Sequence, residues 1–280
     1  ADEGHVFAER EQLIDAGCKL LEAEESAIAE ALKIMLQSKD LILDEEAIYL
    51  PAFYFSETGV ANKLLALAEA PGLKNIPENI DVHSLEEASG IKYDDVQRDA
   101  IIKAAASKIM VLTGGPGTGK TTTTKGLITI FQSHGFNLLL AAPTGRAAKR
   151  MTETTGLESK TIHRLLEYKP PEGYQKNEEN PLEGDVLIVD ECSMIDIILM
   201  YNLLKAIPSH MRLILVGDVD QLPSVGAGNV LRDIINSNSI PIIKLTRIFR
   251  QAQNSSIIMN AHKVNGGKFP DTTTRRTSDF

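Results

Sequence analysis

From residue 108 the chain reads Lys-Ile-Met-Val-Leu-Thr, then Gly114-Gly115-Pro116-Gly117-Thr118-Gly119-Lys120-Thr121, then a helix-forming stretch through Phe131. An apolar run, a glycine-rich loop matching GxxxxGK[ST] and a helix, in that order, constrain the fold more than any other feature of the sequence. Glycines let backbone N–H groups curl around phosphate oxygens, and the helix opening near Lys120 turns its positive end toward them. The segment predicts a nucleotide-phosphate site made by Gly115, Pro116, Gly117, Thr118, Gly119, Lys120, Thr121 and Thr122. Lys120 would reach the β- and γ-phosphates, and the Thr121 hydroxyl would bind Mg2+. A glycine-rich turn that only connects two elements is the bland alternative, and the full motif in the required setting speaks against it.

A strand of this kind needs neighbours. Apolar runs recur at 136–144, 185–191, 211–218 and 240–246, each separated from the next by helix-forming sequence. Runs apolar on both faces and spaced by helices predict an α/β fold, a parallel sheet with helices on both faces. Ligands in such sheets lie at the carboxyl ends of the strands, so the polar residues that end these runs matter most. The run Asp185-Val186-Leu187-Ile188-Val189 delivers Asp190 and Glu191 side by side. Asp190 suits metal coordination and Glu191 suits positioning or deprotonating water, although both could instead cap the helix that follows. The run ending Val216-Gly217-Asp218 leads to Gln221, which can hydrogen-bond both a γ-phosphate and a water; a plain polar turn is the alternative reading. Cys192 needs no catalytic role and reads as packing.

Net charge is −9, but it is unevenly spread. Residues 1–95 hold 7 Lys+Arg against 21 Asp+Glu, or −14, and residues 96–280 hold 22 against 17, or +5. Only the second part suits a polyanion, and the acidic first part is expected to meet a protein partner rather than nucleic acid. Hydrophobic residues at 43% and charged residues at 24% exclude disorder, while Cys18 and Cys192 alone exclude a disulfide framework. No run approaches the ~18 apolar residues of a membrane span, and the opening residues carry no signal core. No membrane association and a cytoplasmic location are therefore expected.

Leu13, Leu20, Leu21, Ile28, Leu32 and Met35 recur at helical spacing, so residues 8–38 read as helix. LILDEEAIYLPAFYF reads as two short β runs about an acidic turn, with a helix in GVANKLLALAEA, an order resembling a winged helix. APGLKNIPEN, with two prolines, reads as the linker.

Pro143, Thr144, Gly145, Arg146, Lys149 and Arg150 follow the second apolar run, a loop and basic helix start suited to a nucleic-acid backbone. A solvated helix face explains that segment equally well on its own, as an amphipathic helix does TIHRLL at 161–166. The ordered series carries more. TGGPGTGKTTT, APTGRAAKRM, TIHRLLEYKP, VLIVDECSMID, LVGDVDQLPSVGAGNVL and LTRIFRQ resemble motifs I, Ia, Ic, II, III and IV of superfamily 1 helicases. More narrowly they resemble the RecD-like ATP-dependent DNA helicases, the group of the exodeoxyribonuclease V alpha subunit.

The resemblance implies a RecA-like first motor domain over 93–245 with a small insertion near 167–184, a small mostly helical domain over 1–92, and the start of a second RecA-like domain over 246–280. It implies that Gln97 reads adenine and that Arg250 reaches across a cleft to the γ-phosphate. Pro143, Thr144, Arg146, His163 and Ser224 fall in motifs that contact single-stranded DNA. Together with Lys120, Glu191 and Gln221 as catalytic residues, these imply an ATP hydrolase that moves 5′ to 3′ on single strands, engages duplex ends, and serves DNA recombination and repair. Because the sequence stops about 30 residues past Arg250, motifs V and VI have no counterpart, and a fragment with weak or absent turnover is expected. Two alternatives stand: another P-loop ATPase, and a nucleotide-responsive subunit of a nuclease complex without motor activity of its own.

Overall fold

The computed structural model describes residues 4–72, 76, 80–249 and 255–271. At the N-terminal end, β1 (Phe7–Glu9), α1 (Arg10–Leu21), α2 (Glu25–Gln37), β2 (Ile42–Asp44), β3 (Ala47–Tyr49) and α3 (Pro51–Glu69) follow one another. The three strands form an antiparallel sheet in the order β1-β3-β2. The single helix expected over 8–38 is instead two, because Glu22 adopts a left-handed conformation at φ 51° and the Ala23 N–H turns back to Cys18 O. Residues 51–55, read from their aromatics as strand, open α3, since Pro51 occupies its first turn, where no backbone N–H is needed. Most of the expected linker, 73–75 and 77–79, lies outside the described residues.

The remainder comprises α4 (Val82–Ser89), α5 (Asp95–Ala106), β4 (Ile109–Gly114), α6 (Lys120–Ser133), β5 (Leu138–Ala142), α7 (Gly145–Thr155), β6 (Ser159–Thr161) and α8 (Ile162–Leu165). A small antiparallel hairpin of β7 (Tyr168–Lys169) and β8 (Gly173–Tyr174) precedes β9 (Val186–Val189). Then come α9 (Ile197–Ala206), β10 (Arg212–Gly217), α10 (Val230–Ser237), β11 (Ile242–Leu245) and α11 (Ser256–Asn265). The main sheet is parallel throughout, in the order β11-β4-β10-β9-β5-β6. All five apolar runs became strands. The sixth, β6, is a polar edge strand with one neighbour, so no apolar pattern announces it.

Alternation along each strand divides two cores. Ile109, Val111, Leu187, Val189, Leu213 and Leu215 face α3, α9 and α10. Met110, Leu112, Val186, Ile188, Ile214 and Val216 face α4, α5 and α6. This is the P-loop RecA-like α/β fold with helices on both sides of the sheet. Val60, Leu64 and Leu67 of α3 belong to the first core, so the N-terminal segment is braced directly against it. At that junction Gly59 lies against the ring of Tyr201 of α9, which leaves no room for a Cβ.

Candidate functional site

β4 is buried along its whole length and ends at Gly114, where the loop begins. Gly117 and Gly119 take φ of 74° and 89°, conformations glycine reaches without steric cost. Gly119 is the N-cap of α6, which therefore starts at Lys120. The Lys120 ammonium donates to the Gly114 carbonyl and, at 3.2 Å, to the Gly115 carbonyl, and it lies 3.9 Å from Asp218 Oδ2. Burial lowers the Lys120 pKa, and the carboxylates of Asp218, Glu191 and Asp190 oppose that shift. Thr118 Oγ1 donates to Gly115 O at 2.8 Å and stiffens the loop, while Thr121 remains exposed.

Asp190 and Glu191 leave the end of β9. They do not cap α9: Asp196 does, accepting from the Leu199 N–H at 2.8 Å. Asp190 Oδ1 accepts from the Glu191 N–H at 2.9 Å. Glu191 stands at φ 54°, ψ 42°, a costly conformation for a residue other than glycine. One of its carboxylate oxygens, Oε2, is buried without a hydrogen-bond partner, and Oε1 lies 4.0 Å from Arg150. Burial raises the pKa of both carboxyls, and each is pulled back by Lys120 and Arg150. Cys192 is buried, donates to Val189 O, and has its thiol pushed well above the ordinary range by burial, as packing requires.

Gln97, Gly115 through Thr122, Arg150, Asp190, Glu191, Gln221, Arg247, Ile248, Phe249 and Ile258 line one cleft of about 1150 Å³. Every described nucleotide-site residue expected from the sequence is thus in one place. Gln97 is buried in a capping box with Asp94, and its Nε2 donates to Gly119 O at 3.4 Å. Gln221 is exposed on the turn after β10. Arg250 lies outside the described residues. Arg150, read from the sequence with the nucleic-acid segment, lines this cleft instead, and three further residues were not singled out from the sequence: Asp218, Phe249 and His262. Asp218 is buried to 1% exposure, with Oδ2 lacking any hydrogen-bond partner. The Phe249 N–H donates to Gly117 O at 3.2 Å, and its ring stands beside Gly119.

The residues expected at DNA do not line this cleft, but each follows a strand of the same sheet, at its carboxyl end. Thr144 caps α7, its hydroxyl accepting from the Ala147 N–H at 3.2 Å, and Arg146 points to solvent. Pro143 is half-buried. His163 is exposed on α8, with ring centroids 5.8 Å from both Tyr168 and Tyr174 of the hairpin. Ser224 spends its hydroxyl within its own loop, donating toward Gly226 O and Gly228 O at 2.9 and 3.0 Å.

Among the described residues no group of three or more His, Cys, Asp or Glu side chains could hold a metal ion by itself. Mg2+ keeps waters and relies on one or two protein oxygens plus substrate phosphates. Thr121 and Asp190, the pair read from the sequence for Mg2+, both line the cleft with a side-chain oxygen, and the Oε2 of Glu191 is a buried polar atom without a partner beside them.

A family model described as an AAA domain matches residues 97–227. The chain is 41% identical over 81% of its length to the ATP-dependent RecD2 DNA helicase of Deinococcus radiodurans, of which it covers 31%. It is 35% identical over 71% of its length to the RecBCD enzyme subunit RecD of Mycobacterium tuberculosis, of which it covers 37%. The Pif1 helicase structure from Candida albicans aligns over 65% of this chain and 46% of its own, with TM-score 0.48 and 23% identity. The chain therefore spans about a third of the length of the curated relatives it matches. By these sequence relationships the chain is similar to RecD-type DNA helicases over most of its own length.

Proposed function

We propose that this chain supplies the ATP-binding lobe of a DNA helicase motor, coupling ATP hydrolysis to movement along single-stranded DNA in recombination and repair. The observation that carries this reading is the convergence of Lys120, Asp190, Glu191 and Gln221 on one glycine-rich cleft. The loop amides would receive the phosphates, and Lys120 would exchange its Gly114 and Gly115 carbonyls for β- and γ-phosphate oxygens. Thr121 and Asp190 would hold Mg2+, which neutralises phosphate charge when bound. Glu191 would orient and deprotonate the attacking water, its raised pKa making it a stronger base, and Gln221 would contact both water and γ-phosphate. Gln97 and Phe249 would border the adenine, with Arg250 reaching the γ-phosphate.

Pro143, Thr144, Arg146, His163 and Ser224 would follow the DNA strand along the carboxyl ends of β5, β6 and β10, with movement 5′ to 3′ from single strands or duplex ends. The structural units proposed are those read from the sequence: 1–92, 93–245 and the opening of a second lobe at 246–280. No described helix is long and apolar enough to cross a membrane, and a cytoplasmic setting is proposed. One observation favours a protein partner at the acidic N-terminal unit: Leu20, Leu21, Ile34 and Phe55 are exposed there. The test is ATP hydrolysis with and without single-stranded DNA, using Lys120→Ala as blank. Stimulation by DNA is expected. Turnover by Lys120→Ala equal to the parent's would overturn the site, and turnover indifferent to DNA would overturn the coupling.

A further inference from the structure

α11 approaches the glycine-rich loop from the 246–280 segment. His262 on this helix places its Nε2 2.9 Å from the Pro116 carbonyl oxygen. A carbonyl can only accept, so this nitrogen carries the proton and donates. The ring packs against Gly115, where an added Cβ would stand 2.8 Å from His262 Cε1. Gly115 therefore serves a second purpose besides loop curvature: it admits the imidazole. The next carbonyl, Gly117 O, accepts from the Phe249 N–H at 3.2 Å. Two carbonyls of the loop are thus held by groups from beyond residue 246. α11 is itself held in place, since Asn260 exchanges hydrogen bonds of 2.8 and 2.7 Å with the backbone of Asp271.

In a trans peptide the C=O and the following N–H point in opposite directions. Holding Pro116 O toward α11 turns the Gly117 N–H away from that helix, and holding Gly117 O turns the Thr118 N–H away from Phe249. Amides turned in this way are what a phosphate cradle is built from. We propose that His262 is a positioning residue for nucleotide binding: its Nε2–H fixes the 116–117 peptide and so sets the affinity of the loop for phosphate. It also tethers the loop to the segment that opens the second lobe, so displacement of α11 would be felt by the phosphates. The proposal rests on the nucleotide reading of the cleft.

The experiment uses the full chain and its His262→Ala, His262→Phe and His262→Gln variants, with melting curves to establish folding. Dissociation constants for a fluorescent ATP analogue are measured beside kcat and KM for ATP. Phe keeps the bulk without the donor, and Gln keeps a donor at similar reach. Ala and Phe are expected to weaken binding and raise KM about fivefold, the value of one net hydrogen bond near ~1 kcal/mol, with kcat little changed. Gln is expected to restore affinity to within about twofold. Phe as tight as the parent, or Gln as weak as Ala, overturns the proposal. A parent that binds the analogue no better than Lys120→Ala overturns the nucleotide reading itself, which is a different and separable result.

Discussion

Replacing Lys120 by methionine should unsettle the empty protein as well as disable it. The Lys120 and Asp218 side chains are only 16% and 2% exposed, and their charges stand 3.9 Å apart. At an effective dielectric constant of about 20 their attraction is about 4 kcal/mol, which offsets the desolvation of both groups. Removing the lysine leaves Asp218 buried, with Oδ2 already lacking a hydrogen bond, and an uncompensated buried charge typically costs about 3–5 kcal/mol. Taking the lower end, because burying the lysine was itself costly, Lys120→Met should lose about 3 kcal/mol and about 6–12 °C in melting temperature. Adding Asp218→Asn removes the orphaned charge and should recover at least half of that loss, while nucleotide binding stays abolished. Differential scanning calorimetry on the parent, both single variants and the double variant closes the cycle. A Lys120→Met protein that melts with the parent, or a double variant less stable than Lys120→Met alone, would show that the two charges do not support each other.

Glu191→Gln should retain nucleotide binding and stop hydrolysis, as read by a fluorescent analogue and a phosphate-release assay. It should also stabilise the nucleotide-free protein: burial raises the carboxyl above its ordinary 4.5, so the folded state binds the proton more readily and stability falls as pH rises above that value. The melting advantage of the variant is therefore expected at about pH 7.5 and should shrink toward about pH 5, whereas an advantage that grows on acidification would reverse the assignment. Arg146→Ala should weaken single-strand binding uniformly across sequences and reduce the slope of log affinity on log salt by about 1, measured by fluorescence anisotropy. Gly59→Ala should lower stability by about 1–3 kcal/mol through overpacking against Tyr201, a cost that a second change of Tyr201 to Leu relieves.

The sheet was legible because its central strands β4, β9 and β10 are buried along their whole length and appear as apolar runs. β6 was not, since Ser159, Lys160 and Thr161 carry no such signal at an edge. The break at Glu22 was hidden because neither glycine nor proline marks it, and 51–55 misled because aromatic residues favour strands while Pro51 starts a helix just as readily. In the site, Lys120, Asp190, Glu191 and Gln221 were readable from local motifs on strand ends. His262 was not, because its partner Pro116 lies 146 residues away, and only the packing of α11 brings them together. Asp218 stood within a quoted motif, yet its burial beside Lys120 depends on β10 pairing with β4.

Strand β10 has a consequence for how the sheet is assembled. Its residues Leu213 through Val216 are apolar toward both cores, so a slip of one position would exchange one greasy surface for another, and the middle of the strand cannot report the error. Its ends can. Arg212 is buried at the start and donates to Ser107 O at 2.6 Å, while Asp218 is buried just past the finish beside Lys120. A displacement of one residue, about 3.3 Å, would part both side chains from these partners and draw one of the two charges into the apolar interior. The two polar termini act as a pair of gauge blocks, and the spacing between them calibrates where the carboxyl end of β10 meets the glycine-rich loop.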